Sequence, residues 1–193
     1  KACWDRINAT TWPGRPARWA LVEVVNIHDP ALEFSPIHRL LVGVKGDFRQ
    51  ALTAYIGERV SITDQPDAAA MRAALAVLPR SQHAAALVQP GGRHALVTVA
   101  DAPPAQLGVA TFQGFIDTLV AQGDARDVDY VHGDDALAQL AGAEGRAGLH
   151  LAVLGKSELI GRVANRGPLP RKSFSMGETD EKRFYLEARR IRG

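Results

Sequence analysis

One feature constrains the fold of this 193-residue chain most: short apolar runs alternate with helical patterns that begin at capping residues and end at glycine. An unbroken apolar run of strand length is typical of a buried strand. Apolar residues recurring every three or four positions after a capping residue are typical of a helix. The predicted strands are 18–27, 37–44, 59–63, 127–133 and 147–155, with a β-hairpin over 83–101. The predicted helices are 47–57, 67–79, 108–123, 134–142 and 156–167. This order predicts the α/β (or α+β) class: a mixed β-sheet with helices packed on it and one β-hairpin.

Three of these elements carry more detailed expectations. Residues 18–27 form the strongest β-prone run, so we expect them to be buried in the sheet. The hairpin turns at Pro90–Gly92, where glycine supplies positive φ, and we expect it at an edge of the sheet. Asp47 and Asp134 stand at helix starts, where a short carboxylate side chain caps the first backbone N–H groups.

Length predicts a single domain over 1–193, with a C-terminal basic segment and helix at 168–193. The chain starts at Lys1 in a helix-like stretch without a capping residue, which predicts a C-terminal fragment of a longer protein. One cysteine excludes an internal disulfide framework and suits a reducing compartment. No apolar run approaches the roughly 20 residues of a membrane helix, and no secretory leader is present. We therefore expect a cytoplasmic protein without a membrane partner. Nothing in the sequence indicates an oligomeric state.

Charge is distributed unevenly along the chain. Residues 1–155 carry 13 basic and 16 acidic groups, whereas residues 156–193 carry 10 basic and 5 acidic groups. A mildly acidic body with a basic end suits a small anion near the C-terminus, or a tail packed on an acidic face. It argues against nucleic-acid binding, which needs a broad basic surface.

The common short motifs for nucleotides, metalloproteases and redox dithiols are absent, and no two histidines are spaced i, i+4 on a helix. No metal site is therefore predicted. Two histidines stand out as candidate catalytic residues. His38 lies beside Arg39 near the start of a short strand, and His132 lies at the C-terminal end of another, where ligands of α/β sheets tend to bind. The alternative for His132 is a turn residue before the next helix.

The C-terminal segment offers candidate anion-binding groups. Lys172, Ser173 and Lys182 supply two ammonium groups and a hydroxyl suited to a phosphate or carboxylate, and Arg39 would add a guanidinium. We expect the segment from Pro170 to Lys182 to fold back to the sheet and to bring these groups near His38 and His132. The alternative is an amphipathic helix that docks on the core with its basic residues in solvent.

Three stretches of the chain bear on its family: LVEVVNIHDPALEFSPIHRLL (21–41), VDYVHGDDALAQL (128–140) and LPRKSFSMGETDEKRFYLEARRI (169–191). In these stretches the chain resembles the C-terminal half of the uncharacterised domain-of-unknown-function 1015 family. The chain departs from the family after Ser173, where it lacks an aromatic pair followed by Pro and Lys. A further family motif would precede Lys1, and it is similar to one in ParB-like and free-serine-kinase proteins, which bind nucleotide. The resemblance therefore implies a nucleotide cofactor, ATP or ADP, bound together with an upstream part, and a fragment that is catalytically silent alone.

Three functions remain in competition. The first is a nucleotide-dependent, small-molecule kinase-like enzyme acting on a phosphorylated or carboxylated metabolite, because phosphoryl transfer needs mainly positioning and charge stabilisation. The second is a ligand-binding or regulatory module without catalysis, whose partner would be a small anionic metabolite or nucleotide. The third is nucleic-acid binding, which ParB-like kinship would permit and the charge distribution opposes.

Overall fold

The apolar runs form one seven-stranded sheet in a computed structural model that describes residues 24–102 and 107–177. The strands are β1 (Phe34–Val42), β2 (Val60–Gln65), β3 (His83–Gln89), β4 (Arg93–Val99), β5 (Asp127–His132), β6 (Arg146–Leu151) and β7 (Phe174–Met176). Their spatial order is β2-β4-β3-β6-β1-β5, and β7 pairs with the beginning of β1. The α/β class, a sheet covered by helices and containing one hairpin, is confirmed.

The described residues contain five α-helices, four of which cover the two faces of the sheet. They are α1 (Phe48–Ile56), α2 (Ala68–Ala76), α3 (Gly108–Gln122), α4 (Asp134–Ala141) and α5 (Lys156–Arg166). Helices α1 and α3 pack on one face, where their aromatic residues Phe48, Phe112 and Phe115 meet Leu41 and Leu149. Helices α2 and α4 pack on the opposite face against Leu40. None of these helices is long and apolar enough to cross a membrane.

The sheet is antiparallel at every pairing between described strands, so the expectation of a mixed sheet is corrected on this point. The reason lies in the helical connections, which do not join neighbouring strands. Helix α2 leads from β2 to β3 with β4 lying between them, and α4 leads from β5 to β6 with β1 between them. Each unit is a split β-α-β arrangement, in which the two parallel strands are separated by an antiparallel one.

Two other expectations about the sheet are wrong. The hairpin of β3 and β4 does not lie at an edge, because β2 pairs with the outer side of β4. Residues 24–27 of the predicted strand 18–27 are not a strand, and Val24 is 91% exposed. The side chains of Asn26 and Asp29 accept backbone N–H bonds two residues ahead and fold this stretch into turns. Residues 18–23 lie outside the described residues.

Local capping chemistry explains where the helices begin and end. Asp47 caps α1 by accepting N–H bonds from Arg49 and Gln50, as the sequence predicts. Gly123 ends α3 with φ of 78°, a left-handed conformation that favours glycine. Asp134 differs from its predicted role: the N-cap of α4 is Gly133, and the Asp134 side chain makes no capping bond. Its carboxylate is used elsewhere.

The C-terminal segment, defined here as residues 170–177, folds back to the sheet as predicted. Phe174 stacks on Phe34 with ring centroids 4.3 Å apart, in the short pairing of β7 with β1. Gly177 donates its N–H to the carbonyl of Glu33 and has φ of 64°, consistent with the expected bend. The predicted helix after it lies outside the described residues.

Helix α4 packs closely on the sheet because β6 has a glycine, Gly148, at the contact. A Cβ at Gly148 would lie 2.7 Å from Cβ of Ala141 and 3.1 Å from Cγ of Leu137, which is too close for ordinary contact. We expect Gly148→Ala to lower the free energy of unfolding by about 1–3 kcal/mol, because it overpacks this interface and pushes α4 outward. Urea unfolding measures the effect. Gly161→Ala in α5 is the matched control: no neighbour lies within 4 Å, and we expect unchanged or slightly higher stability. Equal stability of the two variants would contradict the prediction.

Candidate active site

Neighbouring residues of β1 face opposite sides of the sheet, which separates two residues that the sequence analysis grouped together. Side chains alternate along a strand, so His38 shares a face with Leu40 while Arg39 shares the other with Leu41. Leu40 packs with α2 and α4, and Leu41 packs with α1 and α3. One small-ligand pocket therefore cannot hold both His38 and Arg39.

On the His38 face, three residues from distant parts of the chain meet. His150 lies on β6, the neighbour of β1, and its ring centroid is 4.5 Å from that of His38. Gly133, with φ of 92°, turns the chain from β5 into α4 and brings Asp134 to the same point. Asp134 Oδ1 is 2.9 Å from His38 Nε2 and 3.4 Å from His150 Nδ1. We call these three residues the His–Asp–His cluster.

The backbone fixes the tautomer of His38. The N–H of Leu151 donates to His38 Nδ1 at 3.2 Å, so this nitrogen is an acceptor. The neutral ring then carries its hydrogen on Nε2, which donates to Asp134 Oδ1. Burial lowers the pKa of His38 below its ordinary value, while the hydrogen bond and charge of Asp134 oppose the shift. His38 is thus a neutral donor that holds one carboxylate oxygen in place.

His150 is buried and incompletely paired. Burial, with a smaller contribution from His38, lowers the pKa of His150 to about 4, although Asp134 opposes this. Its Nε2 atom is buried and has no hydrogen-bond partner among the described residues. An unsatisfied buried nitrogen costs about 1–3 kcal/mol, so its presence calls for a functional explanation.

A cleft of about 550 Å³ opens on the cluster between α2 and the ends of β1 and β6. The cleft is lined by His38, Asp134 and His150, by two arginines, Arg72 and Arg80, and by an apolar wall formed by the end of α2. The Asp134 side chain is 49% exposed and lines the cleft, so its carboxylate is open to a ligand there. The volume suits a small metabolite. The cleft also lies where β5 and β6 end, the side of the sheet that the sequence analysis favoured.

The cluster could also hold a metal ion, because one donor atom from each residue lies within 4.8 Å of the others. The tautomer of His38 opposes this use. The Leu151 N–H donates to Nδ1, so the proton of the neutral ring is on Nε2, and a metal at Nε2 would have to displace it. Metal-binding histidines usually have the opposite arrangement, in which the other ring nitrogen donates its N–H to an acceptor. The arrangement favours a shared proton over a shared metal.

Arg39 is fully buried on the opposite face and is hydrogen-bonded to neutral groups. Its Nε donates to Gln113 Oε1 at 2.8 Å, and its Nη2 donates to the carbonyl of Arg171 at 3.2 Å. The guanidinium lies 4.7 Å from the ring centroid of Tyr130. Asp117 accepts from the Gln113 amide and lies 3.6 Å from Arg171, which brings negative charge close to the group. Burial lowers the pKa of Arg39, and Tyr130 opposes the shift.

Three further predicted site residues, His132, Lys172 and Ser173, are not part of the His–Asp–His cluster. His132 is exposed and pairs in register with Ile37, which places it on the Arg39 face. Lys172 is exposed with φ of 55°, and the Ser173 hydroxyl donates to the carbonyl of Pro170 at 2.6 Å. Lys182 lies outside the described residues. Catalysis by His132 and anion binding by Arg39, Lys172, Ser173 and Lys182 stay predictions.

Acid should destabilise the protein through His150. In the unfolded chain this ring takes up a proton near pH 6.5, whereas the folded state holds its pKa at about 4. Stability from neutral His150 is therefore complete above pH 6.5 and is lost as pH falls toward 4, by about 3 kcal/mol. Thermal unfolding between pH 7 and pH 4 measures the loss. His150→Leu should flatten this pH dependence, and an unchanged slope in that variant would contradict the assignment.

Comparison with known proteins yields one family and one solved structure of interest. A family model described as a protein of unknown function (DUF1015) matches residues 1–121. The first of the three resembling stretches lies in that match, and the other two lie beyond it. The chain is similar to a free serine kinase mutant in complex with AMP, with a TM-score of 0.52 and 14% identity. The likeness covers 80% of this chain and 58% of that one, less than two thirds, and at this identity it concerns the fold alone. No curated protein matches the sequence.

Proposed function

This chain belongs to the DUF1015 family of proteins of unknown function, and we propose that it is a nucleotide-dependent, kinase-like enzyme acting on a small anionic metabolite. One observation carries the proposal. A carboxylate, Asp134, is held by the neutral His38 in a metabolite-sized cleft that two arginines also line. A positioned carboxylate beside cations is what phosphoryl transfer to a hydroxyl requires.

Asp134 acts as the general base in this proposal. The free carboxylate oxygen of Asp134 takes the proton from the acceptor hydroxyl. At the same time the hydroxyl oxygen of the acceptor bonds to the terminal phosphorus of the nucleotide. The bond from that phosphorus to the bridging oxygen breaks, and the electron pair leaves with the shortened nucleotide. The products are a phosphorylated acceptor, a nucleotide with one phosphate fewer and a protonated Asp134, which returns its proton to solvent.

His38 is a positioning residue in this proposal, which narrows the catalytic role predicted from the sequence. Both of its nitrogens are engaged, one by the Leu151 N–H and one by Asp134, so the ring cannot accept a proton from substrate without losing a bond. Holding Oδ1 limits the rotation of the carboxylate and leaves the other oxygen directed at the acceptor. Such orientation lowers the entropic part of the barrier.

The guanidinium groups of Arg72 and Arg80 supply positive charge on the cleft wall. Charge on the transferring phosphoryl oxygens must be balanced in the transition state, and arginine forks fit these oxygens. The fold likeness to a free serine kinase in complex with AMP supports a nucleotide, ATP or ADP, as the donor.

The test combines binding with turnover. Titration calorimetry against AMP, ADP and ATP measures nucleotide binding, and phosphorus NMR follows the transfer to serine and other small hydroxy acids with ADP or ATP as donor. We expect nucleotide binding and a new phosphate-ester resonance from a chain extended upstream of Lys1, and no transfer by residues 1–193 alone. Nucleotide binding without any transfer would favour the ligand-binding module, and absence of nucleotide binding would reject the kinase-like function.

A further inference from the structure

We infer that Arg80 binds the phosphate group of the ligand, at a point where three clefts meet. This inference rests on the proposed function, since it assigns the anion subsite of the same cleft. The ligand class is a phosphate monoester or diphosphate, carried by a nucleotide or by a phosphorylated metabolite.

Arg80 lies at the junction of these clefts. It lines the 550 Å³ cleft that contains Asp134, and a second cleft of about 510 Å³ bordered by His28 and Lys156. It also lines a smaller cavity beside Ser173. A phosphate bound at Arg80 would therefore lie beside clefts that are also lined by Asp134, Lys156 and Ser173.

The guanidinium of Arg80 has no hydrogen-bond or ion-pair partner among the described residues. In residues 24–102 and 107–177, Arg80 makes no hydrogen bond and no ion pair. Its charged neighbours are engaged elsewhere: Lys156 donates to the carbonyl of Asp29 at 2.8 Å, and Glu158 pairs with Arg162 at 3.5 Å. All five N–H donors of Arg80 thus remain for an external acceptor.

A glycine makes room for this guanidinium. A Cβ at Gly155 would overlap Arg80 Nη1, so the side chain rests directly on the glycine backbone. The glycine is not needed for its conformation, because its φ of −68° and ψ of 135° are open to any residue. The space above Gly155 therefore determines where the Arg80 fork lies.

The chemistry of that fork selects phosphate. A guanidinium presents parallel N–H groups that match two oxygens of a phosphate, and its charge persists at any physiological pH. Arg72 is the second cation of the main cleft, but it lies 3.8 Å from Asp135 and so is partly balanced. Arg80 makes no ion pair among the described residues, although the Glu158 carboxyl also lies beside Gly155 and pairs with Arg162.

Three variants of the full chain test the assignment. Arg80→Gln removes the charge, and Gly155→Ala keeps the charge but displaces the fork without straining the backbone. Arg59→Gln is the matched control, because it removes the same charge from an exposed position that borders none of the three clefts. Calorimetry at low salt measures the Kd of inorganic phosphate, diphosphate, AMP and ADP, and thermal unfolding checks each variant.

We expect the Kd for phosphate-bearing ligands to rise about 10-fold or more in Arg80→Gln and in Gly155→Ala, with unfolding temperatures unchanged. Arg59→Gln should bind like the parent chain. Tighter binding of AMP and ADP than of free phosphate would identify the nucleotide as the source of the group, and the reverse order would identify a phosphorylated metabolite.

Unchanged affinity in both Arg80→Gln and Gly155→Ala would overturn the inference, as would absence of phosphate binding by the parent chain. The proposed function stands or falls separately, on phosphoryl transfer and its dependence on Asp134. A chain that transfers phosphoryl groups with full affinity after Arg80→Gln would keep the function and lose this subsite.

Discussion

Asp134→Asn should lower the rate of phosphoryl transfer about 10²- to 10⁴-fold, the range that loss of a general base produces. The amide keeps the size of the side chain and still accepts from His38 Nε2 through its oxygen, but it cannot take the acceptor proton. We expect the loss in kcat, with KM for the nucleotide little changed, because Asp134 acts on the hydroxyl and not on the nucleotide. Steady-state kinetics with the acceptor found by phosphorus NMR measures both constants.

The neighbouring residue provides the control for this variant. The Asp135 side chain is 100% exposed and lies 3.8 Å from Arg72. Asp135→Asn changes the same charge one residue away, and we expect its kcat to stay within about 2-fold of the parent value, as for most surface substitutions. A similar loss in both variants would point to a general charge effect, and full activity in Asp134→Asn would exclude the proposed base.

Arg39→Ala should lower the free energy of unfolding by about 3–5 kcal/mol, which corresponds to a fall in Tm of about 10 °C for a chain of this size. The substitution empties the volume of a fully buried side chain and strips the donors from Gln113 Oε1 and from the carbonyl of Arg171. Because Arg171 begins the turn into β7, we expect the C-terminal segment to loosen as well. Calorimetric unfolding and proteolysis of the segment measure the two effects.

An arginine on the surface gives the comparison. Arg93 sits in the hairpin and donates to the carbonyl of Pro90, so Arg93→Ala should change stability by less than about 1 kcal/mol. This prediction also tests the anion-binding role that the sequence suggested for Arg39. Full stability combined with weakened phosphate binding in Arg39→Ala would restore that role and reject the structural one.

Local chemistry explains which parts of the fold were predictable. Caps at Asp47 and Asp67 and the glycine end at Gly123 act within one helical turn, so each helix could be placed from a few neighbouring residues. The order of the strands could not, because it depends on pairings between runs far apart in the sequence, from Gln65 with His94 to Phe34 with Met176. The hairpin was therefore placed at an edge, although β2 covers it.

The candidate site was only partly predictable for a similar reason. His38 stood out beside a turn, but its separation from Arg39 follows from strand alternation, which the sequence analysis did not apply to this pair. Asp134 was assigned to a helix cap, a local role typical of its position, and its bond to a histidine 96 residues away has no local pattern. His150 lies inside an apolar run, where a single histidine could only have been noticed as an exception.

The pairing of β1 also has a consequence for folding during synthesis. β1 is the first described strand to be synthesised, yet its partners β5, β6 and β7 are the last three. An emerging chain must therefore keep an apolar strand without neighbours until most of the sequence has left the ribosome. Pairings between such distant segments close slowly because of the entropy of the intervening loop, and unpaired edges invite association with other chains. Half of the sheet, and with it the meeting of His38, Asp134 and His150, is assembled only after β5 and β6 have been synthesised.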